Sequence, residues 1–133
     1  MIFADTSALL ALFNPNDLFH ASALKWFESN RPILVMTDYI VDELLSLALR
    51  RGKKQFALEI SNKVRELFSA NINNITKEDF NEAWDVFNRN LNEGWSFTDC
   101  TSYVFIKRTG IKTAFAFDKH FEDFQIVCRQ PDI

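Results

Sequence analysis

The chain has 133 residues, which is the size of one ordinary domain and leaves no room for a second core. Apolar residues make up 47% and charged residues 25%, a composition that indicates a folded globular protein and excludes a disordered one. The formal net charge of −3 is not the basic balance of many nucleic-acid binders, although an acidic metal site would lower it. No apolar run approaches a membrane span and the N-terminus lacks a basic leader, so we expect one cytoplasmic domain over residues 1–133.

In chain order, short apolar runs alternate with stretches whose apolar residues recur at helical spacing. Caps and breakers mark the helix ends: Thr37 precedes one helix, Gly52 follows it, and Thr76 with Asp79 forms a capping-box pattern before another. The predicted elements are strand 2–4, helix 8–13, helix 20–30, strand 33–36, helix 38–51, helix 57–68, strand 72–75, helix 80–91, helix 96–110, strand 113–117, a helical turn at 119–124 and an edge strand at 126–127.

This alternation of strands and helices predicts an α/β fold with a mainly parallel sheet. Right-handed crossovers would put helices on both faces of the sheet. Because ligands of such sheets bind beyond the carboxyl ends of the strands, those ends are where functional side chains are expected.

Three aspartates stand where a predicted strand ends or a predicted helix begins. Asp5 follows the first strand, Asp118 follows the fourth, and Asp99 lies in the first turn of the helix at 96–110. Each also has a purely structural explanation, because Asp caps helices and is favoured by the helix dipole at an N-terminus. For Asp99 the capping partner would be Ser96. Taken singly, each aspartate is explained better as a cap than as a functional residue.

Glu43 breaks the apolar face of the helix at 38–51. Ile40 and Leu47 lie three and four residues away from it and share its face, whereas the polar stripe of this helix runs elsewhere. A carboxylate on an apolar face is unusual, because burying an unpaired charge is costly. The alternatives are an edge residue that reaches solvent and a buried ion pair, and here the functional interpretation is slightly favoured.

Considered together, the four carboxylates predict a metal site at the carboxyl edge of the sheet. Carboxylates that face one crevice repel each other unless a cation lies between them, and Mg²⁺ and Mn²⁺ take oxygen ligands of this kind. The two cysteines and two histidines share no metal-ligand spacing, so we expect no zinc site. The four acids are Asp5, Glu43, Asp99 and Asp118.

Four segments in register resemble the motifs of PIN domains, and the size of the chain is most similar to that of the VapC-type toxins of prokaryotic toxin–antitoxin pairs. No single motif is specific, but their order and spacing agree over nearly the whole chain. The segments are MIFADTSALL at 1–10, TDYIVDEL at 37–44, SFTDC at 96–100 and AFDKHF at 116–121.

The resemblance implies a three-layer α/β/α sandwich and Mg²⁺- or Mn²⁺-dependent cleavage of RNA phosphodiester bonds. It maps the metal-binding acids onto the four residues above. For the mechanism we choose Asp5 as the central ligand, and Glu43 is either a ligand or the base that orients the attacking water. Thr6 or Ser7, and Thr98, match positions where the family often has a supporting hydroxyl. The resemblance also implies a homodimer, and an antitoxin that lays a peptide across the active site.

Positive charge should surround an acidic site that binds RNA. Arg50 and Arg51 belong to the densest basic cluster, and Lys119 adjoins Asp118, so these three are candidate RNA contacts; an ordinary solvated helix end is the alternative. Trp95 could stack on a base. His120 is interpreted as a turn residue.

Two rival functions remain open at this stage. One is a housekeeping RNA-processing nuclease without an antitoxin, which the sequence cannot separate from a toxin. The other is a non-catalytic metal- or peptide-binding module, against which the intact acids argue. A phosphoryl-transfer protein of the receiver or haloacid-dehalogenase type ranks last, because the second type needs an acid where Ser7 stands and a receiver needs an acidic pair where Asp5 stands alone.

Overall fold

Five parallel strands form one sheet in the order β3-β2-β1-β4-β5. The structure, a computed structural model of the chain, describes residues 1–132. The chain places β2 and β3 on one side of β1 and then β4 and β5 on the other side. The topological switch point therefore lies between β1 and β4, and ligands of such sheets bind at this point. The strands are β1 (Ile2–Ala4), β2 (Leu34–Thr37), β3 (Ile72–Asn73), β4 (Thr113–Phe115) and β5 (Cys128–Gln130).

Seven α-helices in the described residues flank this sheet, and the predicted α/β sandwich with a parallel central sheet is confirmed. None of these helices combines the length and the apolar character that a transmembrane segment needs. The helices are α1 (Thr6–Phe13), α2 (His20–Asn30), α3 (Asp38–Arg51), α4 (Lys54–Phe68), α5 (Lys77–Arg89), α6 (Phe97–Thr109) and α7 (His120–Asp123).

Among the strand predictions, the second strand lies one residue later than expected and the third ends at Asn73 rather than at 75. Two further differences have identifiable reasons. The predicted edge strand at 126–127 is wrong by two residues, because the apolar side chains of Ile126 and Val127 pack against the core while the pairing with β4 begins at Cys128. The fourth strand ends at Phe115 rather than at 117, since the N–H of Phe117 donates to the Ser7 hydroxyl instead of to a strand.

Aromatic rings fill much of the core. Phe3, Phe115 and Phe121 are completely buried, and the ring of Phe3 lies 5.9 Å from that of Phe105 and 6.0 Å from that of Phe121. This packing ties β1 to α6 and α7, and aromatic pairs of this kind add to the stabilisation that burial alone provides. The helix N-termini beside β1 and β4 are therefore held in fixed positions at the carboxyl edge of the sheet.

Candidate active site

One cleft of about 300 Å³ brings all four predicted acids together at the carboxyl edge of the sheet. Each acid arrives from a different part of the chain, after β1, from α3, from the start of α6 and from the segment after β4. The residues that line this cleft are Asp5, Thr6, Ser7, Leu10, Glu43, Leu47, Arg51, Gly94, Ser96, Asp99, Asp118 and His120.

Asp5 caps helix α1 and also faces the cleft. Its Oδ2 accepts the backbone N–H of Ser7 at 3.1 Å and the Ser7 hydroxyl at 2.6 Å, and its own N–H donates to the carbonyl of Phe115. Burial raises the pKa of Asp5 to about 7 against the lowering effect of the Ser7 hydrogen bonds, and the charges of Asp99 and Glu43 raise it further. The structural and functional explanations of this residue are therefore compatible.

Ser7 links the end of β1 to the segment that follows β4. While its hydroxyl donates to Asp5, the same oxygen accepts the backbone N–H of Phe117 at 3.0 Å and that of Asp118 at 3.3 Å. This hydroxyl thus fixes the position of Asp118 relative to Asp5, which gives a physical content to the supporting role that the family resemblance implied for Thr6 or Ser7.

Asp99 completes the capping box that the sequence suggested. Ser96 Oγ accepts the N–H of Asp99 at 3.0 Å, and Asp99 Oδ2 accepts the N–H of Ser96 at 2.9 Å. The same Oδ2 lies 2.8 Å from Nδ1 of His120. An ionised carboxylate can only accept, so Nδ1 carries the proton in this contact.

His120 is a site residue that the sequence interpretation as a turn missed. Besides its contact with Asp99, its backbone N–H donates to Asp118 Oδ1 at 3.0 Å, and its Nδ1 lies 3.3 Å from the same oxygen. One residue therefore holds two acids from different elements. Its position two residues after Asp118 is the only sequence signal, and that spacing is equally typical of a turn.

Glu43 reaches the cleft from α3 and is half-buried. Burial is the main cause that raises its pKa; the nearby Thr6 hydroxyl lowers it, and the charges of Asp99 and Asp118 raise it again. Thr6 Oγ1 is itself buried, and no partner in the described residues lies in hydrogen-bond geometry with it. This placement of Glu43 agrees with the expectation from the sequence that its side chain points inward.

Each of the three aspartates uses one carboxylate oxygen for the protein and leaves the other available. Asp5 Oδ2, Asp99 Oδ2 and Asp118 Oδ1 accept all the hydrogen bonds found for these side chains among the described residues. Donors that hold one oxygen of a carboxylate orient the other, as the outer contacts of a metal site do. The cleft therefore contains three aspartates that are each positioned through one oxygen and keep the other free of hydrogen bonds from the described residues.

The donor set of the cleft fits a hard divalent cation. Ligand atoms of Asp99, Asp118 and His120 lie within 4.8 Å of one another, and the free oxygens of the aspartates add to the oxygen-rich set that Mg²⁺ and Mn²⁺ prefer. The buried Thr6 hydroxyl, which lies near Glu43 in the same cleft, is a further oxygen that a bound ion or its water could engage.

The other predicted site residues are dispersed. Arg51 lines the cleft, whereas Arg50 and Lys119 are exposed and are not among its lining residues. Thr98 accepts the Thr101 hydroxyl with its backbone carbonyl, and its side chain is not part of the described lining. Trp95 does not offer the stacking surface suggested for it, since its ring packs on those of Tyr103 and Phe124.

A parallel sheet whose switch point gathers four acids is the architecture expected of a PIN nuclease. The sequence model of the PIN domain family matches residues 2–127. The chain belongs to this family, and the predicted resemblance is confirmed.

Within the family, the chain is similar to a named toxin. The 23S rRNA-specific endonuclease VapC20 from two strains of Mycobacterium tuberculosis is 29% identical over 132 residues, which cover 99% of this chain and 100% of the relative. A crystal structure of VapC20, described as a sarcin-ricin loop cleaving toxin, superposes with a TM-score of 0.83 at 27% identity and covers 92% of this chain and 94% of that one. The predicted likeness to VapC-type ribonuclease toxins is thereby confirmed.

Proposed function

We propose that residues 1–133 form a single Mg²⁺- or Mn²⁺-dependent ribonuclease domain that hydrolyses RNA phosphodiester bonds and acts as the toxin of a toxin–antitoxin pair. The observation that carries the proposal is the catalytic cleft, where four acids meet and each aspartate keeps one oxygen free of hydrogen bonds from described residues. The likeness to VapC20 supports RNA as the substrate.

Asp5, Asp99 and Asp118 would hold the cation, because Ser7, Ser96 and His120 already orient their carboxylates. When bound, a divalent ion acidifies a water and stabilises charge that develops on the phosphate. Glu43 is assigned the role of proton acceptor, since its pKa is raised and its half-buried carboxylate is reachable by water. Asp5 is locked by two bonds from Ser7 and is less able to move a proton.

The biological setting follows from the same relatives. VapC20 carries the description of a 23S rRNA-specific endonuclease, so ribosomal RNA is the first substrate to test for this chain. We further propose a cytoplasmic location, a homodimer and control by a cognate antitoxin. A small neighbouring gene for a DNA-binding antitoxin would separate this function from that of a housekeeping RNA-processing nuclease.

The direct test compares cleavage of ribosomal RNA and of a mixed RNA pool in Mn²⁺, in Mg²⁺ and in EDTA. We expect the wild-type protein to cleave with metal and not with EDTA, and Asp5→Asn to lose at least about a hundredfold, because a direct ligand matters at least as much as the outer contacts of a metal site. Asp85→Asn is the matched control, since Asp85 is an exposed acid on α5 outside the cleft.

Two results would contradict the proposal. Cleavage that survives in Asp5→Asn would indicate a contaminating nuclease. A wild-type protein that binds a divalent ion in calorimetry but cleaves neither RNA in any metal would favour a non-catalytic binding module.

A further inference from the structure

A second opening, the side pocket, continues directly from the catalytic cleft. It encloses about 330 Å³ and shares with the cleft the side chains of Ser7, Leu10, Arg51 and Asp118. Its remaining walls come from the loop between α1 and α2 and from Phe117. A molecule that reacts beside Asp118 therefore has this pocket as the adjoining space.

Two stacked aromatic rings form one wall of the side pocket. The rings of Phe19 and Phe117 lie 4.7 Å apart and within 5° of parallel, and Phe117 immediately precedes Asp118 in the chain. Phe19 remains 38% exposed and its neighbour Leu18 is 88% exposed, so the two side chains present adjacent apolar surface to water. A flat apolar surface in water beside reacting groups is typical of a surface on which a ring of the substrate stacks.

The loop that carries Phe19 is held by its own hydrogen bonds. Asp17 Oδ1 accepts the N–H of Phe19 at 2.9 Å, and the carbonyl of Asp17 accepts the N–H of His20 at 3.0 Å. Nδ1 of His20 lies 2.7 Å from the carbonyl of Ala11, which ties the start of α2 to α1. The aromatic surface is thus positioned before any ligand arrives, so binding needs little ordering of the loop.

Arg51 supplies positive charge between the two openings. It lies at the end of α3, is exposed, and lines both the cleft and the side pocket. In the part of the chain that the structure describes, Arg51 forms no salt bridge. Its guanidinium is therefore available to pair with a phosphate at the junction of the two spaces.

We propose that the side pocket binds a nucleobase of the RNA next to the scissile phosphate, stacked on Phe19, with the adjoining phosphate paired to Arg51. The inference rests on the proposed ribonuclease function and names where its substrate is held. An RNA strand suits this position better than a protein segment does, because the pocket combines an aromatic plane, a guanidinium and a direct opening onto the acids.

The test pairs changes in the protein with changes in the RNA. A labelled RNA that contains the cleaved sequence is compared with versions that lack one base at a time beside the scissile bond, and binding is measured in Mn²⁺ with the scissile phosphodiester replaced by a linkage that cannot be hydrolysed. We expect Phe19→Leu to weaken binding of the intact RNA by about tenfold or more and Phe19→Trp to preserve it, since stacking needs a ring rather than apolar volume.

Removal of the stacked base should reproduce the loss seen with Phe19→Leu. In wild-type protein one abasic position should weaken binding by a similar factor, and in Phe19→Leu the same abasic RNA should bind no more weakly than the intact RNA. Trp84→Leu is the matched control, because Trp84 is 55% exposed on α5 and lines neither opening. Melting temperatures establish that each variant is folded.

Arg51→Gln provides a second test, which leaves the loop that carries Phe19 unchanged. Because Arg51 is exposed, the substitution should not disturb the fold. In this variant the slope of log affinity against log salt concentration should be smaller in magnitude by about one, the contribution of about one phosphate contact. Unchanged binding in Phe19→Leu would overturn the proposed base pocket, and so would an abasic loss that adds fully to the effect of Phe19→Leu. Cleavage by the wild-type protein would in that case still support the nuclease function. The aromatic pair would then be available to a protein segment instead. A wild-type protein that neither binds nor cleaves RNA would instead overturn the proposed function.

Discussion

Asp5 and Asp79 are equally buried, each with 3% of its surface exposed, but only Asp79 has a cation supplied by the chain. Nε of Arg108 lies 2.9 Å from one oxygen of Asp79 and 3.1 Å from the other. Asp5 accepts only from Ser7 among the described residues, and its charged neighbours are further acids. The fold therefore neutralises one buried acid internally and leaves the other to an external charge.

This difference is the one expected between an acid that stabilises the fold and an acid that binds a metal ion. A buried carboxylate without a partner is unfavourable, and several that share a cleft repel one another, so such a group is retained at a cost to stability. Asp79 is already paired with the guanidinium of Arg108. The catalytic cleft, by contrast, would be stabilised by binding a divalent ion.

The largest expected effect is the pH dependence of metal binding, and it follows from the raised pKa of Asp5. That pKa is about 7 in the folded protein against an ordinary value of 3.8, so below pH 7 the folded protein holds the proton. Because a divalent ion needs the carboxylate, its affinity should fall by a factor that approaches about tenfold per pH unit below 7, and by about fiftyfold between pH 7 and pH 5. Calorimetric titration with Mn²⁺ at several pH values measures this slope.

In the metal-free protein the same pKa shift has the opposite consequence. Charged Asp5 is the unfavourable form in the fold, so its contribution to stability is complete below about pH 4 and is lost as the pH rises through 7. Asp5→Asn should flatten both dependences. A Mn²⁺ affinity that is constant from pH 5 to pH 8 in wild-type protein would show that Asp5 is not protonated at the site.

The next effect concerns His120, which contacts the two proposed metal ligands Asp99 and Asp118. His120→Ala should weaken Mn²⁺ binding by about ten- to hundredfold, the usual consequence of losing an outer contact of a metal ligand. His120→Asn should restore much of that loss, because its side-chain amide can donate to Asp99 from a position near that of Nδ1. The electron spin-echo spectrum of bound Mn²⁺ should show no directly coordinated imidazole nitrogen; a coordinated nitrogen would make His120 a ligand instead.

Asp79 and Asp99 show where prediction from sequence reaches its limit. Both stand three residues after a capping residue, Thr76 and Ser96 respectively, and in both pairs the hydroxyl accepts the N–H of the aspartate. Local rules therefore describe the two acids equally well. Arg108 is 29 residues from Asp79 and His120 is 21 from Asp99, so only the tertiary packing decides which acid is paired and which faces the cleft.

The strands and the four acids were accessible to sequence reasoning because they follow local patterns. Apolar runs that end at Asp5 and before Asp118 mark the carboxyl edge of the sheet, and Glu43 interrupts an apolar helix face. Phe19 has no such signal, since a phenylalanine in a loop is equally consistent with core packing. Its stacking on Phe117 joins residues 98 positions apart in the chain.

The smallest expected effect concerns stability and contrasts the two buried acids directly. Arg108→Met keeps the apolar stem of the side chain but leaves Asp79 without its cationic partner. The free energy of unfolding should therefore fall by about 1–2 kcal/mol. Breaking a fully buried pair would cost more, but the side chain of Arg108 is half-exposed. Asp5→Asn should not lower the stability of the metal-free protein at pH 8, since it removes an uncompensated charge and keeps an acceptor for Ser7.

Urea unfolding of both variants in EDTA, beside the wild-type protein, measures the contrast. A stability ranking of Asp5→Asn at or above wild type and Arg108→Met below it supports the distinction between the two acids. If the stability of Asp5→Asn falls as far as that of Arg108→Met, the fold compensates the charge of Asp5 without a metal. The free oxygens of the catalytic cleft could then no longer be interpreted as metal ligands. Because Mn²⁺ stabilises only a protein that binds it, adding the ion should raise the stability of wild type relative to Asp5→Asn and leave the deficit of Arg108→Met unchanged.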